Sequence, residues 1–269
     1  MVRVDRRPGV VTRTVATDRD RERQTQPEHR DRSEPTHSRR SGFPPGPIAS
    51  VQRSKAAARD WYDAISDQYD VFADPFEAST RSRGLDLLAA TPGERVLDVG
   101  CGTGQALLEL SRAVGPEGAA VGLDIAPGMC RTTRQRLTNG GHEPLVVQGD
   151  AASLPFPDDR FDAVFASFVL ELLDTPEIGS ALREWYRVLD PNGRLCVVSL
   201  SRRRAGPLTW LYEAIHDRWP TYVDCRPIYL RETLLETGFA VRDHRTTDIC
   251  GLPVEVALCE PGSSRERFG

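Results

Sequence analysis

Along this 269-residue chain the spacing of apolar positions changes register several times. From Met1 to about Ser50 apolar residues are sparse among Arg, Asp, Glu, Pro, Ser and Thr. Such a segment buries too little surface to offset its chain entropy, so a disordered tail is expected at 1–50. Gln52 to Phe72 then has helical spacing, with Trp61, Ile65, Tyr69 and Phe72 on one face and Asp74-Pro75 as its end. A second helix is expected from about Thr80 to Ala90, burying Leu85, Leu87 and Leu88, before Thr91-Pro92-Gly93 turns the chain.

After that turn, short apolar runs alternate with helical patterns. The runs are Glu94–Val99, Ala119–Ile125, Pro144–Gln148, Phe161–Val169 and Arg194–Leu200. Between them fall helices at Gln105–Val114, from Pro127 to about Leu137, and at Pro176–Leu189. This rhythm predicts an α/β fold with helices on both faces: a Rossmann-like, doubly wound, mainly parallel seven-stranded sheet. The end of the chain departs from the rhythm. Ser201–Pro227 is an inserted segment, Ile228–Thr237 a helix, and Phe239–Thr246 and Val254–Glu260 two strands close enough in sequence to pair antiparallel. An antiparallel edge strand is therefore expected, in one domain over 51–260, with a tail at 261–269.

Composition adds limits. The formal charge is −4, which demands neither an acidic nor a basic partner. No apolar run reaches the length of a membrane span, and the start lacks the apolar stretch of a signal peptide. The six cysteines form no Cys-x-x-Cys pair and none has zinc-finger spacing to a histidine. They read as reduced thiols of a cytoplasmic protein, with no metal site.

Ligands of such sheets bind outside the carboxyl ends of the strands. The first run leads straight into Gly100-Cys101-Gly102-Thr103-Gly104, where glycines let a ligand approach the backbone and the next helix start favours an anion. Asp98 precedes that turn. Asp124 ends the second strand, placed to accept hydrogen bonds from both hydroxyls of a ribose. Asp150-Ala151 ends the third and suits an exocyclic amine such as adenine's. Ser167 ends the fourth. Ribose, adenine and an anionic tail fit a dinucleotide or S-adenosylmethionine. A dinucleotide fingerprint places its third glycine at position 105, which is Gln105; here the third glycine is Gly104.

Val96-Leu97-Asp98-Val99-Gly100-Cys101-Gly102-Thr103-Gly104 closely resembles the first motif of class I S-adenosylmethionine-dependent methyltransferases. Gly122-Leu123-Asp124-Ile125, Gly149-Asp150-Ala151, Leu154-Pro155-Phe156, Phe161-Asp162-Ala163-Val164 and Arg187–Leu195 agree with the later motifs, so the resemblance runs from about Trp61 to Glu260. It implies S-adenosylmethionine as cofactor. It also implies Asp98, Gly100, Cys101, Gly102 and Gly104 on the methionine side, Asp124 at the ribose, Ile125, Asp150 and Ala151 at the adenine, and Ser167 beside the cofactor. Trp61–Asp63 and Gln68–Asp70 resemble the opening segment of the UbiE group, the quinone C-methyltransferases, and that resemblance makes 51–92 a lid with Tyr69 in it.

The acceptor is less marked. Glu171 follows the fourth strand where relatives carry a histidine. His216 is the one histidine placed to be tested, and no catalytic base is assigned. In the insertion, Leu208, Leu211, Tyr212, Ile215 and Trp219 share a helical face behind Arg202-Arg203-Arg204, which suggests a cap over a hydrophobic quinone- or lipid-like acceptor, with peripheral membrane contact. Tyr69, Glu171, Tyr212 and His216 are thus the substrate candidates. Methyl transfer to a small hydrophobic molecule is the leading expectation. A non-catalytic cofactor-binding module and a nicotinamide-dependent dehydrogenase are the alternatives. No nucleic-acid partner is expected, since no basic recognition domain is present.

Overall fold

The computed structural model describes residues 54–66, 68–72, 74–203, 206–218 and 225–262. The expected tail at 1–50 and most of that at 261–269 lie outside them.

Seven strands form one sheet in the order β3-β2-β1-β4-β5-β7-β6. They are β1 (Arg95–Val99), β2 (Ala119–Asp124), β3 (Val146–Gln148), β4 (Phe161–Ser167), β5 (Leu189–Leu200), β6 (Phe239–Ile249) and β7 (Leu252–Pro261). The first five are parallel, with β1 between β2 and β4. β7 pairs antiparallel to both β5 and β6. The strand running against the rest therefore lies one place in from the edge, and β6 forms the border. β5 starts five residues earlier than its apolar run, because Leu189 pairs with Phe161 before a register shift. Asp190–Gly193, between the expected helix and strand, belong to that irregular strand.

The helices are α1 (Lys55–Ile65), α2 (Tyr69–Phe72), α3 (Asp74–Leu88), α4 (Gln105–Val114), α5 (Pro127–Asn139), α6 (Thr175–Val188), α7 (Pro207–Arg218) and α8 (Leu230–Glu236). Both sheet faces are covered, as alternate residues of β1 show. Leu97 and Val99 join the core beneath α6 and α8, with Trp185, Leu182 and Leu234. Val96 joins the other, with Leu107 and Leu110 of α4 and Leu137 of α5. A strand buried on both faces is what an uninterrupted apolar run produces.

Two expectations at the start change. The first helix is broken between Ile65 and Tyr69, so it makes α1 and α2. Asp74-Pro75 does not end helical structure but begins α3, since proline is tolerated in a first turn whose N–H groups have no helical partner.

Candidate active site

The carboxyl ends of β1 to β4 open on a cavity of about 310 Å³, roofed by α1, α2 and α3. The turn after β1 forms its floor. Gly100, Gly102 and Gly104 all have left-handed backbones, with φ of 67°, 54° and 85°. They serve different ends. A Cβ on Gly100 would sit 2.4 Å from Val169 Cγ2, and one on Gly104 would sit 2.7 Å from Thr133 Cγ2. A Cβ on Gly102 meets nothing within 4 Å. So Gly102 alone leaves room for a ligand, while Gly100 and Gly104 admit neighbouring side chains. Gly104, expected on the ligand, is not part of the cavity wall; it caps the start of α4.

Asp98 lies at the bottom of the cavity, 2% exposed. Its Oδ2 is buried without a hydrogen-bond partner among the described residues. Burial pushes its carboxyl up to about 8; nearby Arg81 lowers it and Asp124 raises it further. Asp124 accepts from the Gly102 N–H at 3.0 Å through Oδ2 and from the Ala126 N–H at 2.9 Å through Oδ1. It thus ties the glycine turn to the β2 tip, beyond any contact with a ribose. Burial raises this carboxyl too, against those backbone donors. Cys101 also lines the cavity, and burial holds its thiol well above the ordinary range, so it is no thiolate nucleophile.

Ile125, Asp150, Ala151 and Ser167 line the same cavity. Asp150 caps the Ala152 N–H through Oδ1 at 2.9 Å, and its Oδ2 accepts from Lys55 Nζ at 2.7 Å. Phe168, next to Ser167, is held at φ 57°, a backbone that side-chain-bearing residues rarely adopt and that clusters at functional sites.

The roof is tied down by polar contacts. Lys55 reaches Asp150 and Glu177. Asp63 accepts from the Gly128 N–H at the start of α5. Asp70 accepts from Thr103 Oγ1, Gln105 Nε2 and Arg136. From α3, Glu77 and Arg81 enter the cavity wall. The sequence reading missed these two and Lys55. An acidic and a basic residue four apart, and the single lysine of an arginine-rich chain, were the available signals.

Of the substrate candidates, Tyr69 lines the cavity beside Tyr62, their rings 6.1 Å apart. Glu171 is not in the wall. It is fully buried behind it, and its Oε1 accepts from the Leu200 N–H at 3.0 Å. Tyr212 donates to the Cys225 carbonyl at 3.0 Å, one residue back from the wall that Cys225 forms. The side chains of Leu208, Ile215 and His216, and Trp219 altogether, lie outside the described residues. Leu211, expected inward, is 49% exposed beside Trp210 at 66%. Arg202 is paired with Glu213 at 3.0 Å and Arg203 with Glu232, so these two cations are engaged within the fold.

Seven acidic residues line the cavity, Asp70, Glu77, Asp98, Asp124, Asp150, Asp174 and Glu177, against two basic ones among the described residues, Lys55 and Arg81. This balance suits a ligand carrying an ammonium and a sulfonium and opposes the pyrophosphate of a dinucleotide. The partnerless oxygen of Asp98 and the open space at Gly102 fit S-adenosylmethionine. Asp98 and the glycine turn would hold its methionine end, Asp124 the ribose, and Ile125, Asp150 and Ala151 the adenine. Among the described residues no group of three His, Cys, Asp or Glu could hold a metal ion, and no helix is long and apolar enough to cross a membrane.

Comparison with known proteins agrees. A methyltransferase domain family matches residues 96–193. Two solved structures share the fold. One is the protein bound to the Trm112 methyltransferase activator of Haloferax volcanii, with a TM-score of 0.61 and 18% identity over 76% of this chain and 97% of that one. The other is the [4+2]-cyclase SpnF, with a TM-score of 0.64 and 22% identity over 81% of this chain and 100% of that one. Residues 96–193 match a methyltransferase domain, on the fold of the class I S-adenosylmethionine-dependent methyltransferases, the class this chain resembles, with S-adenosylmethionine as the implied cofactor. Within that class the chain is similar to the ubiquinone/menaquinone biosynthesis C-methyltransferase UbiE of Vibrio campbellii, 36% identical over 159 residues, which is 57% of this chain and 61% of that protein. It thus spans about three fifths of the length of the curated relatives it matches.

Proposed function

We propose that this protein transfers the methyl group of S-adenosylmethionine to a small, hydrophobic, quinone-like acceptor. The observation that carries the reading is the buried, partnerless Oδ2 of Asp98 in an acid-rich cavity at the β1–β4 tips. When bound, the cofactor supplies a methyl group already activated by its sulfonium. The protein's own work is placement. Asp98 and Gly102 fix one end, Asp124 and Asp150 the other, and the 51–92 lid excludes water. The acceptor then meets the side formed by Tyr62, Tyr69, Phe168, Leu172 and Leu173. UbiE relatives named for ubiquinone and menaquinone biosynthesis support the acceptor class.

The inserted segment 201–227 we read as the acceptor-side cap, with Trp210 and Leu211 touching a lipid surface from which the acceptor comes. Six cysteines without a disulfide, four of them buried, support a reducing, cytoplasmic setting. Incubation with methyl-labelled cofactor and cell extract, followed by product identification, tests the function; label in a quinone-like lipid is the expected result. Liposome co-sedimentation of Trp210→Ser/Leu211→Ser tests the membrane contact, since binding equal to wild type removes it.

A second reading has its own cue: no histidine lines the cavity among the described residues. On that reading the scaffold binds the cofactor without transferring methyl, and label would stay on the cofactor in every fraction. The nicotinamide-dependent alternative is set aside on the charge of the cavity.

A further inference from the structure

We propose that the cofactor site opens, across the Lys55–Asp150 contact, into a second pocket that takes a substituent on the adenine amine. The protein then binds adenosyl ligands that are alkylated at that nitrogen. This rests on the reading above that sets the adenine beside Asp150.

A pocket of about 300 Å³ lies against α1 and the tips of β2 and β3. Ala56 and Arg59 of α1 line this pocket and not the main cavity, as does Gln148 at the end of β3. Lys55, Ile125, Gly149 and Asp150 line both. The two spaces therefore meet along one shared wall, and it is the wall assigned to the adenine.

The polar contact in that wall is the Lys55 Nζ–Asp150 Oδ2 pair, at 2.7 Å. Asp150 Oδ1 is committed to the Ala152 N–H at 2.9 Å. Oδ2 is thus the oxygen that remains for an adenine amine. Lys55 also lies 3.0 Å from Glu177, so it keeps a charged partner when Asp150 turns to another donor. Gln148 closes nothing here, because its amide is engaged with the Ile125 carbonyl at 3.2 Å.

The adenine amine carries two hydrogens, and Asp150 Oδ2 needs one of them. A group in place of the other leaves that hydrogen bond intact and extends past the shared wall. The second pocket suits a short apolar group. Ala56, Ile125 and the hydrocarbon stems of Lys55 and Arg59 supply apolar surface, and the two cations stand four apart on one face of α1. A cavity of about 150 Å³ already holds a benzene ring, so this one has room for a benzyl group.

The test is calorimetry on the full chain with two probes: S-adenosylhomocysteine, and the same molecule benzylated on the adenine amine. Wild type is compared with Ala56→Trp and Gln148→Trp, which fill the second pocket from α1 and from β3 and leave the main cavity untouched. Wild type should bind the two probes within about tenfold of each other. Each tryptophan variant should bind the benzylated probe at least about tenfold more weakly than wild type does, and the parent probe within about twofold. A benzylated probe that wild type binds more than about tenfold more weakly than the parent overturns the proposal, because the adenine site is then closed. So do variants that weaken both probes alike, or that weaken neither, because the benzyl group then lies elsewhere. A wild type that binds neither probe instead overturns the cofactor reading on which the proposal stands.

Discussion

Lys55 Nζ lies 2.7 Å from Asp150 Oδ2, so a cation on the first helix is fastened to the carboxylate that follows β3. The same ammonium is 3.0 Å from Glu177 in the first turn of α6. Lys55 therefore fastens α1 to the tip of β3 and the start of α6 at one corner of the cavity. Both partners in the Asp150 pair are about one-third exposed, at 34% each, so the contact is worth on the order of 0.2–1 kcal/mol. Lys55→Ala should leave the fold intact and speed cofactor release by about twofold to fivefold, with less salt dependence than wild type. Stopped-flow dissociation at low and high salt checks this. An unchanged release rate would mean that the lid is held elsewhere, by Asp63 and Asp70.

Gly100 and Gly102 stand two residues apart and should fail differently. Alanine at Gly100 places a methyl group 2.4 Å from Val169 Cγ2, in a left-handed backbone. Overpacking of this kind costs about 1–3 kcal/mol and the backbone about 1–2 more. Gly100→Ala should therefore lower the thermal midpoint by several degrees. Alanine at Gly102 carries only the backbone cost, but its methyl group occupies the open floor of the cavity. Gly102→Ala should keep most of its stability and bind S-adenosylmethionine at least about tenfold more weakly, roughly 1.4 kcal/mol. Thermal melts and calorimetry on the pair separate the two effects, and equal affinity in Gly102→Ala would remove Gly102 from the ligand.

The difference between those glycines marks where the sequence stops being readable. A left-handed backbone explains three glycines in a row of alternate positions, but which of them faces a ligand depends on Val169 and Thr133, far along the chain. The strands were legible because burial on both faces leaves uninterrupted apolar runs such as Val96–Val99. Most of the candidate residues that line the cavity were legible because they sit at the ends of those runs. Glu77 and Arg81 were hidden by a proline. Asp74-Pro75 reads as a helix end from local rules, yet here it opens α3, and only then do Glu77 and Arg81 share a helix beside the cavity. Glu171 failed in the opposite way. Its place after β4 was right, but the turn Leu170–Leu172 folds it under the wall toward Leu200.

Asp98 should make cofactor binding depend on pH. Burial lifts its carboxyl to about 8, so the empty site holds a proton at neutral pH. A bound ammonium favours the ionised form, and binding then expels that proton. Affinity should therefore rise from pH 6 to pH 8, by up to about tenfold per unit, and level off above. At pH 7, calorimetry in buffers of different ionisation enthalpy should register close to one proton released. Asp98→Asn should bind more weakly, with a flat profile and no proton release. A wild-type profile that is flat from 6 to 8 would mean the methionine end lies elsewhere.

Glu171 supplies a separate pH effect, on stability. Its Oε2 is buried without a hydrogen-bond partner among the described residues, and burial lifts the carboxyl from the ordinary 4.5 to about 7 against the Leu200 N–H. The folded state thus binds this proton more tightly than the unfolded chain does. The stabilisation is complete below about 4.5 and is lost as pH rises through about 7. A shift of this size corresponds to on the order of 3 kcal/mol. Glu171→Gln keeps an oxygen for the Leu200 N–H and has no proton to lose. Between pH 4.5 and 8 the variant should therefore gain on wild type by about that amount in urea denaturation. A constant difference across the range would show that Glu171 is ionised in the folded protein, its charge balanced by Arg226, which lies 1% exposed beside it.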